Sequence, residues 1–275
     1  MNTIERHSVD RELAEERYQA ATNLLHTSLS VPKQTIPSLR GLFMASRMCA
    51  EYLSVLNPGA SELRPYICQG ARAAAAIALV SAQSSGEVTI NLGPDHSVQA
   101  KAVGPNDVCH VDLWRSGFYM GLICGDRGSV DVLCALPIDV LRQSSSKGDE
   151  CLYLFADVLQ RFWRHDADVS KRLTAALEAT DPQQLRISPE EFILNIVVPE
   201  MELFFRFLNG EVAPFNETLL FALQRHKKYW SKGDRKKDSD GYLALGPLAI
   251  CGLATPTGIP IEVQSDYIPG SLMRP

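Results

Sequence analysis

The chain has 275 residues and a net charge of −5, with 45% hydrophobic and 21% charged residues. Those proportions exclude a disordered chain, and the acidic balance disfavours general nucleic-acid binding, which needs excess Lys and Arg to neutralise phosphates. Seven cysteines (Cys49, Cys68, Cys109, Cys124, Cys134, Cys151 and Cys251) are odd in number and share no short spacing. That argues against a secreted disulfide framework and for a reducing compartment.

The N-terminal stretch MNTIERHSVDRELAEERYQ is polar and charged, unlike a signal peptide. The longest apolar run, around Ala71 to Ala82, is too short to span a bilayer. A cytoplasmic location without membrane contact is expected.

Helical periodicity dominates. Asp10 to Ser28 carries Leu13, Tyr18, Ala21 and Leu25 on one face, and Pro37 to Leu56 carries Leu39, Leu42, Phe43, Met48, Tyr52 and Val55. Asn57-Pro58-Gly59 stops the second helix, and Ser61 is placed to cap a third that reaches about Ser84. The period then changes. Glu87 to Leu92 and Ser97 to Val103 alternate around Gly93-Pro94-Asp95-His96, which predicts a β-hairpin.

Asn106-Asp107 is the expected cap of a helix reaching Cys124, followed by a short helix over Ser129 to Arg142 that Pro137 interrupts or delays. Gln143 to Asp149 is the candidate loop or subdomain boundary. Leu152, Phe155, Leu159 and Phe162 form the next stripe, and Val169 to Ala179 another short helix. Ser188-Pro189-Glu190-Glu191 predicts a capping box opening an apolar helix, kinked or broken at Pro199. Phe215 to Ser231 has a stripe of Leu219, Leu223, His226 and Trp230, and Tyr242 to Ala254 is an apolar helix ahead of a short strand and tail. The fold class is therefore mainly α: stacked helical hairpins in one α-rich domain over residues 1–275, with a small β-hairpin insertion near 87–103.

Standard catalytic and cofactor signatures are missing from the sequence, so no catalytic residue, metal or cofactor is expected. Cys109 and His110 are adjacent, which suits neither a metal pair nor a thiolate–imidazole pair. His226 is expected to pack on the indole of Trp230 with one ring nitrogen hydrogen-bonded. The basic, aromatic stretch Arg225 to Lys237 invites a nucleic-acid reading, but Trp230 lies on the buried stripe and Asp234, Asp238 and Asp240 dilute the charge. Ser265 and Asp266 are neighbours in extended chain and make a poor catalytic dyad.

The C-terminal third carries a combined motif: His226, Tyr229 and Trp230 ending one helix, then Gly258-Ile-Pro260-Ile-Glu-Val, then Ser265-Asp266-Tyr267 and Pro269. Over roughly residues 215–269 the chain resembles the immunity protein 49 family of bacterial polymorphic-toxin systems. It departs from that family's pattern at Thr255-Pro256-Thr257, where a residue such as His-Asp is more usual. The motif is aromatic, Pro and Gly in character and suits a structural corner.

The resemblance implies a cytoplasmic, non-enzymatic antidote that binds and neutralises a cognate toxin effector domain, such as a basic nuclease. Exposed charge nominates Lys232, Asp234, Arg235, Asp238 and Asp240 as partner contacts, with the hairpin as an equal candidate. The alternatives are an enzyme with an unrecognised helical active site and a nucleic-acid binder using Arg225 to Lys237.

Overall fold

The computed structural model describes residues 2–93 and 96–273. Its elements, in chain order, are β1 (Asn2–Ile4), α1 (Arg11–Leu29), α2 (Ile36–Leu56), α3 (Leu63–Ser81), β2 (Glu87–Gly93), β3 (His96–Lys101), α4 (Val111–Cys124), α5 (Arg127–Ala135) and α6 (Ile138–Gln143). Then follow α7 (Glu150–Trp163), α8 (Val169–Glu178), α9 (Glu190–Phe192), a π-helical turn (Ile193–Val197), α10 (Val198–Asn209), α11 (Val212–Trp230), α12 (Leu245–Ala254), β4 (Val263–Ser265) and α13 (Gly270–Met273). Helices α1 to α4 pack in sequence, α7 lies on α8, α10 on α11, and α12 on α4 and α10. Stacked helical pairs thus form a mainly α architecture, with β2 and β3 as the small antiparallel hairpin. The predicted turn residues Pro94 and Asp95 lie outside the described residues.

Helix α3 is central, touching α2, α4, α5 and β2. Ala71, Ala73, Ala74, Ala76, Ile77 and Ala78 are buried along it. Short side chains let neighbouring backbones approach closely, so an alanine-rich helix serves as the core's axis. One apolar cluster continues from Ala21 on α1 to Leu272 on α13.

Several local expectations are corrected. The third helix starts at Leu63 after Glu62, and Ser61 makes no cap, its Oγ turning to Glu62. The fourth starts at Val111 with His110 as its cap; Asn106 instead closes a turn by accepting from the N–H groups of Val108 and Cys109. The interruption expected at Pro137 is present, and it separates α5, which already starts at Arg127, from α6. Ser188 and Glu191 form no capping box, because the Ser188 N–H goes to Asp149 and Glu191 pairs with Lys232 and Arg235. Pro199 neither breaks nor ends its helix. It has no N–H to offer residue 195, and the chain absorbs the mismatch as the π turn just before it.

A two-stranded parallel sheet unforeseen in the sequence joins the two ends of the chain. Asn2, Thr3 and Ile4 of β1 pair with Val263, Gln264 and Ser265 of β4.

Asp149, at the end of the Gln143–Asp149 loop, accepts from the N–H groups of Arg186 (2.7 Å), Ile187 (3.2 Å) and Ser188 (2.7 Å). Burial works against the charged form, yet these donors hold its carboxyl below the ordinary range. Three backbone donors would lose their acceptor in Asp149→Ala, which should cost about 2–3 kcal/mol in urea unfolding, with Asp149→Asn losing less. Wild-type stability in the alanine variant would show that water replaces the carboxylate.

Candidate functional site: a charged cleft beside an aromatic corner

The motif residues of the C-terminal third meet at one corner. His226 comes from the last turns of α11, with its ring centroid 4.7 Å from that of Tyr267 and 6.1 Å from that of Trp230. Its Nε2 donates to the Gly241 carbonyl at 3.0 Å, since a carbonyl can only accept. Burial lowers its pKa to about 4, so the ring is neutral at pH 7. Trp230 packs against Gly241, where an added Cβ would sit 2.5 Å from the indole Cγ.

Tyr267 is fully buried, and its hydroxyl takes the His7 N–H at 2.9 Å and contacts His7 Nδ1 at 2.9 Å. Asp266 accepts the Arg6 N–H at 2.9 Å. The Arg6 guanidinium continues to the Tyr242 and Ser54 carbonyls. These N-terminal partners, Arg6 and His7, carry no recognisable signal in the sequence.

The remaining motif residues shape the chain between helix and strand. Gly258 ends the short 3₁₀ turn Thr255–Thr257 at φ +89°, in the left-handed region that favours glycine. Asn216 of α11 clamps the segment after it, donating to the Pro260 carbonyl at 2.9 Å and accepting from the Glu262 N–H at 2.8 Å. Ser265 Oγ accepts from the Tyr267 N–H, and the Pro269 carbonyl accepts from the Leu272 N–H. Every one of these contacts is internal to the corner.

The basic loop after α11 is pinned as well. Lys232 and Arg235 share Glu191 as an ion-pair partner, and the Arg235 guanidinium lies 4.1 Å above the Tyr229 ring. Tyr229 and Trp230 are buried, so neither ring presents a face to a base. Asp234 is exposed beside Lys237, while Asp238 accepts from the Asp240 N–H. Asp240 turns toward the helices, pairing with Arg47 of α2 at 3.0 Å.

That pair opens onto a cavity of about 270 Å³ that borders the aromatic corner. Its charged walls come from separate helices: Arg47 from α2, Asp112 and Arg115 from α4, Glu200 from α10 and Asp240 from the loop. Phe192 and Ile196, at and within the π turn, complete one side. A second hollow of about 260 Å³ adjoins it and shares Arg47, Asp112, Ser116 and Asp240.

Behind the wall, Glu51 is fully buried, with Oε1 on Arg47 Nε at 2.6 Å and Oε2 on Ser239 Oγ at 2.7 Å. Burial outweighs those bonds and pushes its pKa up to about 7. Glu200 accepts from Tyr119 OH at 3.1 Å and is likewise raised by burial. Arg115 is less well served: its Nη2 reaches Asp112 at 3.4 Å, and Nη1 stands 3.7 Å from Glu200 without a hydrogen bond.

Sequence reasoning singled out Asp240 but missed Arg47, Asp112, Arg115 and Glu200. Lone charges inside apolar helical runs, as in SRMCAEYL and DLWRSGFYM, were the available signal. Among the described residues no group of His, Cys, Asp and Glu is arranged to hold a metal ion. All seven cysteines are free. No helix among the described residues is long and apolar enough to cross a membrane.

A mainly α protein whose C-terminal motif builds a buried corner beside a charged cleft is the class this structure defines. The family model of immunity protein 49 matches residues 57–272, so the chain belongs to the immunity protein 49 family. No curated protein and no solved structure shows a significant match. Residues before position 57 lie outside the matched span, yet β1, Arg6 and His7 are bonded to the matched C-terminal part.

Proposed function

We propose that the protein is an antitoxin: it binds the effector domain of a cognate toxin and neutralises it stoichiometrically, without catalysing a reaction. Membership of the immunity protein 49 family over residues 57–272 is the observation that carries this reading. The partner is a secreted effector such as a basic nuclease, met in the cytoplasm, where free thiols are kept reduced. The family motif acts as scaffold, since His226, Tyr229, Trp230, Gly258, Pro260, Ser265, Asp266, Tyr267 and Pro269 are engaged in the corner. Lys232, Asp234, Arg235, Asp238 and Asp240 form the rim that meets the partner, over an interface on the order of 1,200 Å² or more.

Co-expression with the toxin domain encoded beside it tests this directly. Host survival and co-purification of a complex are expected. In purified form, neutralisation should require about one antitoxin per toxin; full neutralisation at a small fraction of that ratio would instead establish an enzyme. Host death despite soluble expression of both proteins would reject that pairing.

A further inference from the structure

The free cysteines divide into two groups. Cys49, Cys109, Cys134, Cys151 and Cys251 are buried, and burial pushes their thiols up to about 11 or 12, away from the reactive thiolate. Cys68 and Cys124 are only partly covered, and they stand together.

The crossing of α3 and α4 brings them there. Ala74 faces Gly117, Gly70 faces Met120, and the Arg64 guanidinium reaches the Ile123 carbonyl at 2.9 Å, so the two helices run antiparallel. The same register places Cys68, two residues before Gly70, beside Cys124 at the end of α4, and the two thiols hydrogen-bond. Glycines at the crossing bring the backbones close, as a disulfide between them requires.

The two sulfurs differ in character. Cys124 lies in the last turn of α4, whose carbonyl end disfavours a negative sulfur, and its Sγ has the Gly121 carbonyl at 3.7 Å as a further acceptor. Its pKa is raised, first by the bond to Cys68 and then by burial. Cys68 gains from that bond, which brings its thiol below the ordinary value against the opposing effect of burial. Arg72 and Arg64 assist, while Asp126 opposes. Arg64, Cys68 and Arg72 follow one another at helical i, i+4 spacing, on one face of α3. Arg72 pairs with Asp126 at 2.9 Å with side chains 27% and 19% accessible, so water and small solutes reach this neighbourhood.

We infer that Cys68 and Cys124 form a reversible oxidation site for hydroperoxides, with Cys68 as the attacking sulfur and Cys124 as the resolving one. The Cys68 thiolate attacks one oxygen of the hydroperoxide and the O–O bond breaks. Cys68 becomes a sulfenic acid, and the departing alkoxide takes up the proton that Cys68 gave up, leaving as an alcohol, or as water from hydrogen peroxide. The Cys124 sulfur then attacks the Cys68 sulfur; the S–O bond breaks, and hydroxide leaves as water with the Cys124 proton. Two thiols and one hydroperoxide thus give one disulfide, one alcohol and one water. The disulfide ties the end of α4 to α3 and keeps Cys68 from passing to the irreversible sulfinic acid. This site goes beyond the antitoxin reading and does not depend on which partner the protein binds.

The test treats the reduced full chain with one equivalent of hydrogen peroxide, then maps its peptides without reductant. A mass lower by two hydrogens and a Cys68–Cys124 linked peptide are expected, both reversed by dithiothreitol. Before oxidation, iodoacetamide should label Cys68 at least about tenfold faster than any of the five buried cysteines. In Cys124→Ser, dimedone should capture the sulfenic acid at Cys68, and excess peroxide should carry it on to sulfinic acid. Cys68→Ser should yield neither the disulfide nor the dimedone adduct. Linkage through any other cysteine would overturn the assignment, as would a wild-type chain still fully reduced in excess peroxide. Dimedone capture at Cys124 in Cys68→Ser, equal to that at Cys68 in Cys124→Ser, would overturn the division of roles. The wild-type mapping needs no variant to fold.

Discussion

Gly117→Ala is expected to destabilise the protein by about 3 kcal/mol, because the added methyl overpacks a closed helix crossing. Gly117 lies on α4, and a Cβ built there would stand 2.2 Å from Ala74 Cβ on α3. The obstructing atom is bonded directly to the backbone, so no rotamer change relieves the clash; the helices must part. At roughly 2–4 °C per kcal/mol for a chain of this size, the melting temperature should fall by about 6–12 °C.

Gly252→Ala provides the contrast. It lies inside α12 with no atom within 4 Å of the added Cβ. Less backbone freedom in the unfolded chain should then raise stability by about 0.5–1 kcal/mol. A second-site change distinguishes close packing from helix propensity: Ala74→Gly alone should destabilise, yet combined with Gly117→Ala it should recover much of the loss. Independent, additive losses in the pair would mean that α3 and α4 do not meet at these two residues.

The same crossing illustrates what a sequence discloses. The alanine-rich stretch announced α3 as a helix, but nothing local announced that Gly117 would face Ala74 across it. Local signals served best where one helix carried both its stripe and its cap, as in α1, whose Asp10 accepts from the N–H groups of Glu12 and Leu13. They failed where a distant group competed. Ser188 and Glu191 had the spacing of a capping box, yet Asp149, 39 residues away, takes the Ser188 N–H, and Lys232 and Arg235 draw Glu191 outward. β1 was invisible for the same reason: three ordinary residues become a strand only because β4 lies alongside them.

The candidate site follows this division. The C-terminal motif was legible because Gly, Pro and aromatic residues mark a corner wherever it lies, and His226 sits as its stripe position suggested, with one nitrogen bonded and its ring among aromatics. The cleft was not legible as a site. Arg47, Arg115 and Glu200 are single charges on three helices whose meeting depends on tertiary packing. Each was a local anomaly, a charge on a face otherwise apolar, and such anomalies require partners. Reading them as a set would have nominated the cleft, though not its geometry.

Two of the buried groups in this region should oppose each other when pH changes. Glu51 titrates near 7 in the native state against 4.5 for an ordinary glutamate, so between those values the folded protein holds more protons than the unfolded chain. Its contribution therefore declines as pH rises through that window. His226 titrates near 4 against 6.5, so there the unfolded chain holds more protons, and stability is lost as pH falls. Each amounts to about 3 kcal/mol over its full range, and the windows overlap from pH 4.5 to 6.5.

Wild-type stability should consequently vary little across the overlap, and removing either group should expose the other. Glu51→Gln is expected to be about 2–3 kcal/mol less stable near pH 4.5 than near pH 7.5, because His226 then acts unopposed. His226→Gln keeps a donor for the Gly241 carbonyl and should show the reverse slope of similar size. His7, lowered by burial, and Glu200, raised by it, tilt all three proteins alike and cancel in the comparison. Urea midpoints measured at the two pH values decide the matter. Parallel profiles for the three proteins would mean that Arg47 and Ser239 hold Glu51 ionised throughout, and that the cleft's back wall carries a full negative charge.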